Sequence, residues 1–193
     1  MNSYKDLSLS VVIPTKDRRA DLEACLDSVF EQTFMPFEVI VIDSGQPGSR
    51  SYFESKYTQI RYVEFMECTG LTQAKNKGAD MAGGSIVLFL DDDLVIDNMF
   101  IEKILEIFRS EEYQSICGIS GDIINQKNRD GSFIQRMLKI IFLLPMYGNG
   151  RLRISASPTF VYGDPNIKQV EFLPGGLTAY RKEIGRASCR ERV

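Results

Sequence analysis

Three consecutive aspartates, Asp91, Asp92 and Asp93, are the residues of this sequence whose type and spacing most plainly suggest chemistry. They directly follow residues 85–90 (SIVLFL), an uncharged run suited to a strand buried on both faces. In open parallel α/β sheets, ligands bind outside the carboxyl ends of the strands. Two carboxylates about 4 Å apart repel each other by about 4 kcal/mol at an effective dielectric constant of ~20, so a neighbouring cation is favoured. Hard divalent ions such as Mg²⁺ bind carboxylates together with substrate phosphates, and a metal site is therefore the leading interpretation.

Three other interpretations compete with the metal site. One aspartate could cap the helix that follows, but a cap contributes only about 1 kcal/mol. An EF-hand calcium loop is rejected because it needs glycine where Ile96 stands and a ligand where Val95 stands. The series Asp91-x-Asp93-x-Val95 also fits the nucleophile loop of haloacid-dehalogenase-like phosphatases, in which Asp91 would be phosphorylated. That motif belongs on a first strand, whereas here it follows about the fourth.

Composition excludes several classes of site. The chain contains no histidine, so Ser-His-Asp triads and histidine metal ligands are ruled out. A net charge of −3 argues against nucleic acid as a partner. The four cysteines form no CxxC pair, which indicates neither a zinc site nor a disulfide framework and favours a reducing cytosol. With 193 residues, 44% of them apolar, one domain with a sizeable core is expected.

The elements that must position the aspartates alternate between strand and helix. Pro14 is expected to halt the first strand. The alternation is typical of βαβ units and a parallel sheet, in which polar loops after three strands converge on one edge. We predict strands at residues 9–13, 37–42, 60–64, 86–90 and 115–120, and helices at 21–30, 51–57, 71–81 and 98–108.

The rest of the chain is less regular. Residues 133–144 form the most apolar helical candidate, for which packing in the core is favoured over lying at a membrane surface. Residues 151–162 and 169–173 are expected to be extended, before a sharp break at residues 174–176. No apolar run reaches the length of a spanning helix and the start lacks a signal peptide, so a soluble or peripheral protein is expected.

Four motifs in order resemble the inverting nucleotide-sugar glycosyltransferases of family 2. They are VVIPTKDR, FEVIVIDSG, GLTQAKNKGADMAGGSIVLFLDDDLVID and FLPGGLTAYRKE, which span nearly the whole chain up to Glu183. The resemblance implies the GT-A fold, a Rossmann-like and mostly parallel sheet with helices on both faces. It also fits the lack of a phosphate-cradling glycine loop after Ile13, because a metal-bound diphosphate does not need one.

The resemblance assigns roles to particular residues. Pro14, Thr15 and Asp17 would hold the nucleobase together with Asp43, which follows the second strand. Lys75 stands where the family usually has arginine, so a charge contact is retained without bidentate geometry. Asp93 and Asp91 would bind Mg²⁺ or Mn²⁺, and Asp91 or Asp92 would reach the ribose.

The remaining expectations concern the acceptor side. Gly175 and Gly176 resemble the family's turn beneath donor sugar and acceptor, although a plain tight turn is an equal alternative. The catalytic base of relatives lies beyond this turn, so we expect it outside the chain and predict a domain over residues 1–184 with a truncated or foreign tail over 185–193.

Taken together, these features predict metal-dependent, inverting transfer from a nucleotide-diphosphate sugar, with UDP favoured, to a saccharide or lipid-linked acceptor. A non-catalytic binding module is the alternative from another class. Cell-envelope polysaccharide synthesis is the expected setting. The expected location is the cytoplasm, with peripheral contact at the inner membrane face.

Overall fold

The structure is a computed structural model that describes residues 7–122, 146–147, 159–160, 170, 173 and 175–183. Contacts divide the chain into two compact units, Met1–Ile119 with Thr178–Val193, and Ser120–Leu177. The first unit contains the central strands and all the described α-helices.

Four parallel strands, β1 Leu9–Thr15, β2 Glu38–Asp43, β3 Ile60–Glu64 and β4 Ile86–Leu90, occupy one side of a six-stranded sheet in the order β3-β2-β1-β4. Two short strands follow β4 in the sheet, first β8 Leu177–Arg181 and then, at the edge, β5 Gly118–Ser120. β1 and β4 are buried along their whole length, as expected for apolar runs covered on both faces. The parallel α/β class predicted from the sequence is confirmed.

The prediction that Pro14 halts β1 is wrong, because the strand continues to Thr15. Leu9 and Thr15 accept hydrogen bonds from the β2 side, so the backbone of Pro14 faces the opposite neighbour, β4. The pairing of β1 with β4 ends at Val12. The missing N–H of Pro14 therefore removes no hydrogen bond from the sheet.

Four α-helices connect these strands or follow them. α3 begins after Gly70 and ends at Met81, as predicted, before Gly83 and Gly84. α4 buries one apolar face, including Ile101, Leu105 and Phe108, as its helical periodicity predicts. The helices are α1 Arg19–Phe30, α2 Arg50–Lys56, α3 Leu71–Met81 and α4 Phe100–Arg109.

Two short strands complete the main sheet. β5 covers Gly118–Ser120, three residues shorter than predicted, because a 3₁₀ turn at Glu111–Tyr113 and the loop after it occupy the preceding chain. β8 covers Leu177–Arg181. Its hydrogen bonds from Arg181 to Cys117 and from Gly121 to Leu177 make it antiparallel to β5.

The second unit contains a two-stranded parallel sheet of β6, Met146–Tyr147, and β7, Thr159–Phe160. β7 falls within the predicted extended segment 151–162. The predicted helix at 133–144, most of segment 169–173 and the tail 185–193 lie outside the described residues. Within the described part of the chain, no helix has the length and apolar character needed to cross a bilayer.

Candidate functional site

The loops that follow β1 and β4 are joined through Asp92. Thr15, at the end of β1, donates a hydrogen bond from Oγ1 to Asp92 Oδ2 at 2.7 Å. The Arg18 guanidinium contacts Asp92 Oδ1 and Asp93 Oδ2, each at 3.2 Å. Asp92 and Asp93 therefore lie beside the first loop, where the parallel sheet was expected to bring them.

The three carboxylates have different surroundings. Asp92 is buried, and this burial raises its pKa, although the Thr15 hydrogen bond and the Arg18 charge oppose the shift. The Asp93 side chain is 55% exposed. Asp91 Oδ1 lies 2.9 Å from the ammonium of Lys75. Asp92 and Asp93 in turn raise the pKa of the Arg18 guanidinium.

The donor set here suits a hard divalent ion only in part. Asp91 and Asp93 offer carboxylate oxygens, the ligand type that Mg²⁺ and Mn²⁺ prefer. Within the ranges that the structure describes, no group of three or more Cys, Asp or Glu residues is arranged to hold a metal. An ion bound by these aspartates would need further oxygens from water and from substrate phosphates, as is usual for Mg²⁺.

A cavity of about 240 Å³ opens between the loops that follow β1 and β2. Its polar lining includes Thr15 and Asp17, which were assigned to the nucleobase site from the sequence, and Arg18, which adjoins Asp17. Asp43 and Tyr62 also line it, while Phe53 and Leu22 supply apolar surface. The remaining lining residues are Arg19, Gln46 and Ser49.

Asp43 is fixed in the wall of this cavity. Its Oδ1 accepts the N–H of Gly45 at 2.8 Å, and its Oδ2 accepts the hydroxyl of Tyr62 at 2.5 Å. Burial and the hydrogen bond to Asp43 raise the pKa of the Tyr62 phenol, which therefore remains protonated at neutral pH. A buried carboxylate held in this way can accept a further N–H from a ligand.

Asp17 connects the first two loops. Its carboxylate Oδ1 accepts the backbone N–H of Gln46 at 2.8 Å. Its φ of 54° lies in the left-handed region, which aspartate tolerates better than most residues. The Ser44 N–H donates to Thr15 O at 3.0 Å, so the second loop is also tied to the end of β1.

Sequence reasoning missed the two residues that hold the assigned aspartates. Arg18 adjoins Asp17 in the first motif, and its position in that polar loop was the available signal. Tyr62 pairs with Val41, two residues from Asp43, so the alternation along β2 and β3 places Tyr62 and Asp43 on one face. Only the parallel register shows that they meet.

The remaining assigned residues are Pro14 and the two glycines. Pro14 lies within β1, immediately before Thr15. Gly175 and Gly176 belong to the second unit, in the turn before β8. Gly175 is exposed, and a Cβ placed on it would meet no atom within 4 Å. The role of these glycines at a donor site stays a prediction.

Comparison with known proteins identifies relatives of this chain. The sequence profile of the family described as Glycosyl transferase family 2 matches residues 10–185. The amylovoran biosynthesis glycosyltransferase AmsB of Erwinia amylovora is 30% identical over 145 residues, which are 69% of this chain and 46% of that protein. The chain spans less than half the length of the curated relatives it matches.

Solved glycosyltransferases share the fold at low sequence identity. The mannosyltransferase PcManGT from Pyrobaculum calidifontis, in complex with GDP-Man and Mn²⁺, aligns with a TM-score of 0.61 and 18% identity, over 95% of this chain and 47% of its own. S. aureus TarS 1-349 in complex with UDP-GlcNAc aligns with a TM-score of 0.61 and 17% identity, over 94% of this chain and 47% of its own. The fold is therefore that of the GT-A glycosyltransferases. Because the family profile extends from β1 to beyond β8, the chain belongs to glycosyltransferase family 2.

Proposed function

We propose that this chain binds the nucleotide-sugar donor of an inverting, metal-dependent glycosyltransferase, with a UDP-sugar as the favoured donor. The observation that carries the proposal is the meeting of the loops after β1 and β4 through the Thr15 and Arg18 contacts to Asp92. This arrangement sets an acidic cluster beside a cavity of about 240 Å³. The cavity would take the base, and the cluster would take the diphosphate through a cation.

The base would enter the cavity lined by Thr15, Asp17 and Asp43. Asp43 offers a buried, acceptor-only carboxylate to a ring N–H, while Thr15 is committed to Asp92 through its hydroxyl. Phe53 and Leu22 supply apolar contact. A few fixed polar groups beside apolar surface are typical of small-ligand sites, although the lining here is more polar than most.

Asp93 is the better placed of the proposed metal ligands, because its side chain is half exposed and Arg18, its ionic partner, is exposed too. Asp91 would be the second ligand. When bound, the cation would stabilise the negative charge that develops on the departing nucleoside diphosphate. The Mn²⁺ in the PcManGT complex supports a divalent ion for relatives of this fold.

Lys75 and Asp92 would organise the site. Lys75, only 15% exposed and 2.9 Å from Asp91, carries a positive charge that a donor phosphate could share. Asp92 uses one oxygen for Thr15 and the other for Arg18, which favours Asp91 over Asp92 as the ribose contact. In the transfer, the acceptor oxygen bonds to the anomeric carbon as the bond to the diphosphate oxygen breaks, and the acceptor hydroxyl gives its proton to a carboxylate base, a role that we assign to none of the described residues.

The expected acceptor is a saccharide or lipid-linked saccharide. The name of AmsB, which places that relative in amylovoran biosynthesis, supports a setting in polysaccharide synthesis. We also propose that the protein is located in the cytoplasm. Peripheral contact with the inner face of the membrane is the alternative. The family match favours this function over phosphorylation of Asp91 by a phosphatase mechanism.

Calorimetry of UDP, GDP and dTDP, each with and without Mn²⁺, tests the proposal. We expect one diphosphate to bind in a Mn²⁺-dependent manner and Asp93→Ala to abolish that dependence. Asp97→Asn is the matched control, because it removes an exposed carboxylate four residues further along that pairs with Lys103. Absence of metal-dependent binding in the unsubstituted chain would contradict the proposal. Donor binding without sugar transfer in any protein that includes this chain would favour the non-catalytic module.

A further inference from the structure

We propose that Tyr62 sets the nucleobase selectivity of this site by holding the Asp43 carboxylate in one orientation. The inference rests on the proposed function and adds a residue that acts through Asp43. Tyr62 is 2% exposed and Asp43 is 5% exposed, so water competes little for their contact. The Tyr62 hydroxyl donates to Asp43 Oδ2 at 2.5 Å, and both residues line the cavity.

Two donors fix the plane of the Asp43 carboxylate. Gly45 N–H occupies one lone pair of Oδ1, and the Tyr62 hydroxyl occupies one lone pair of Oδ2. The remaining lone pairs can accept hydrogen bonds but cannot donate them. A base that presents a ring N–H, such as uracil, thymine or guanine, would be accepted. A base that presents an unprotonated ring nitrogen at that edge, such as cytosine or adenine, would leave buried acceptors facing each other.

Tyr62 is itself held in place before any ligand binds. Its ring stacks on Phe53 with centroids 5.5 Å apart and an interplanar angle of 11°. Phe53 stacks in turn on Tyr57 at 6.4 Å and 16°. Such preorganisation favours selectivity, because the carboxylate loses no further freedom when a base arrives.

Tyr62→Phe removes the hydroxyl and keeps the ring stack. Dissociation constants would be measured with Mn²⁺ for the diphosphate that binds best among UDP, dTDP and GDP, and for its counterpart without the ring N–H, CDP or ADP. We expect the preferred diphosphate to lose about tenfold in affinity, with the counterpart little changed, so that selectivity falls by about tenfold. Mn²⁺-pyrophosphate, which lacks a base, should bind as before.

The matched control is Tyr57→Phe, the same substitution in the same stack of rings, at a hydroxyl that donates to Asp27 rather than to Asp43. It should leave the selectivity unchanged. In an Asp43→Asn background, Tyr62→Phe should have no further effect on the ratio, because the group that it orients has been replaced. If Tyr62→Phe folds poorly, Phe53→Leu keeps the hydroxyl, loosens the ring and should lower the selectivity by a smaller factor.

Three results would overturn the inference. The selectivity could be unchanged in Tyr62→Phe, or all ligands including pyrophosphate could weaken together, as expected of a purely structural residue. Tyr62→Phe could also lower the selectivity by the same factor in the Asp43→Asn background as in the original chain. Tyr62 would then not act through the Asp43 carboxylate. Failure of the unsubstituted chain to bind any diphosphate with Mn²⁺ would instead remove the proposed function, and the two failures are thus distinguishable.

Discussion

At the scale of single residues, Asp17 combines an uncommon backbone conformation with a structural hydrogen bond. Its φ of 54° costs most residues about 1 kcal/mol or more. Its Oδ1 accepts the Gln46 N–H, and the neighbouring Gly45 fits only because it has no side chain, since a Cβ there would lie 2.5 Å from that oxygen. Asp17 therefore fixes the distance between the loops that frame the cavity.

Substitutions at Asp17 should separate its tolerance of positive φ from its hydrogen bond to Gln46. Asp17→Asn retains an acceptor oxygen and tolerance of positive φ, so its free energy of unfolding should stay within about 0.5 kcal/mol of the original. Asp17→Ala loses both and should cost about 2 kcal/mol, while Asp17→Gly, which loses only the hydrogen bond, should fall between them. Urea unfolding of the three variants measures the order. An alanine variant as stable as the asparagine variant would contradict it.

The partners of the aspartates could not be predicted from the sequence. Arg18 and Asp92 are 74 residues apart, and Tyr62 and Asp43 are 19 apart, so their contacts depend on sheet order and register. The ends of these strands could be predicted to within two residues, because apolar runs stop abruptly before Thr15, Asp43 and Asp91. Residue type thus suggested where a candidate site would lie, whereas its hydrogen-bond geometry required the fold.

At the scale of elements, the packing of α3 on β1 depends on Gly78. A Cβ at Gly78 would overlap Cγ1 of Val12 and would lie 3.3 Å from its Cβ and Cγ2. Val12 is fully buried in a central strand, and its branched side chain has few alternative rotamers. The helix therefore approaches the sheet as closely as it does because residue 78 has no side chain.

Gly78→Ala should destabilise the protein in spite of alanine's higher helix propensity. The overlap is expected to cost about 1–3 kcal/mol, against a propensity gain of about 1 kcal/mol. Gly70→Ala is the control, since a Cβ there meets nothing within 4 Å, and at this N-cap position of α3 it should cost no more than about 1 kcal/mol. Thermal and urea unfolding compare the two. Equal stability of both variants would show that α3 can shift without cost.

Tyr57 attaches the end of α2 to α1 and should make this contact sensitive to alkali. Its hydroxyl donates to Asp27 Oδ1 at 2.6 Å, and burial together with this hydrogen bond raises the pKa of Tyr57 to about 12. In the unfolded chain the pKa of tyrosine is about 10. The contribution of the Tyr57 hydroxyl to the free energy of unfolding is therefore complete below pH ~10 and is lost as the pH rises through about 12.

The stability difference between the original chain and Tyr57→Phe should therefore shrink by about 1–2 kcal/mol as the pH rises from about 10 to 12. Urea titrations at several pH values measure it. Subtracting the two proteins cancels alkaline groups that do not contact Tyr57, such as Tyr62 and Cys25, whose pKa values are raised chiefly by burial. A difference that does not change with pH would show that the Tyr57 hydroxyl titrates as if exposed.

Element prediction succeeded where local signals were strong. β3 and α3 have the predicted bounds, because residues 60–64 alternate and α3 is bracketed by Gly70 and Gly83. It failed at Pro14, where the position of β1 between two neighbours decides whether a missing N–H matters. β5 was overestimated because residues 115–117 of the predicted strand lie in the loop that follows a 3₁₀ turn.

At the scale of the whole molecule, the candidate site is assembled from distant parts of the chain. Thr15 and Asp43 are the last residues of β1 and β2, and Asp93 follows β4, so the three come from different strands of one parallel sheet. A ligand that contacts all three loops would bind the folded chain and not the unfolded one. Its binding energy would then add to the free energy of unfolding.

The melting temperature should therefore rise when Mn²⁺ and the preferred nucleoside diphosphate are added together. At ligand concentrations about 100 times the dissociation constant, the stabilisation is about 2.7 kcal/mol, which corresponds to roughly 5–10 °C for a chain of this size. Each ligand alone should give a smaller shift, since the cation lacks phosphate oxygens and the diphosphate lacks its counter-charge. Asp93→Asn should abolish the added effect of Mn²⁺, and Asp97→Asn should preserve it. A combined shift no larger than that of the diphosphate alone, measured by differential scanning calorimetry, would mean that the acidic cluster does not bridge to the ligand through a cation.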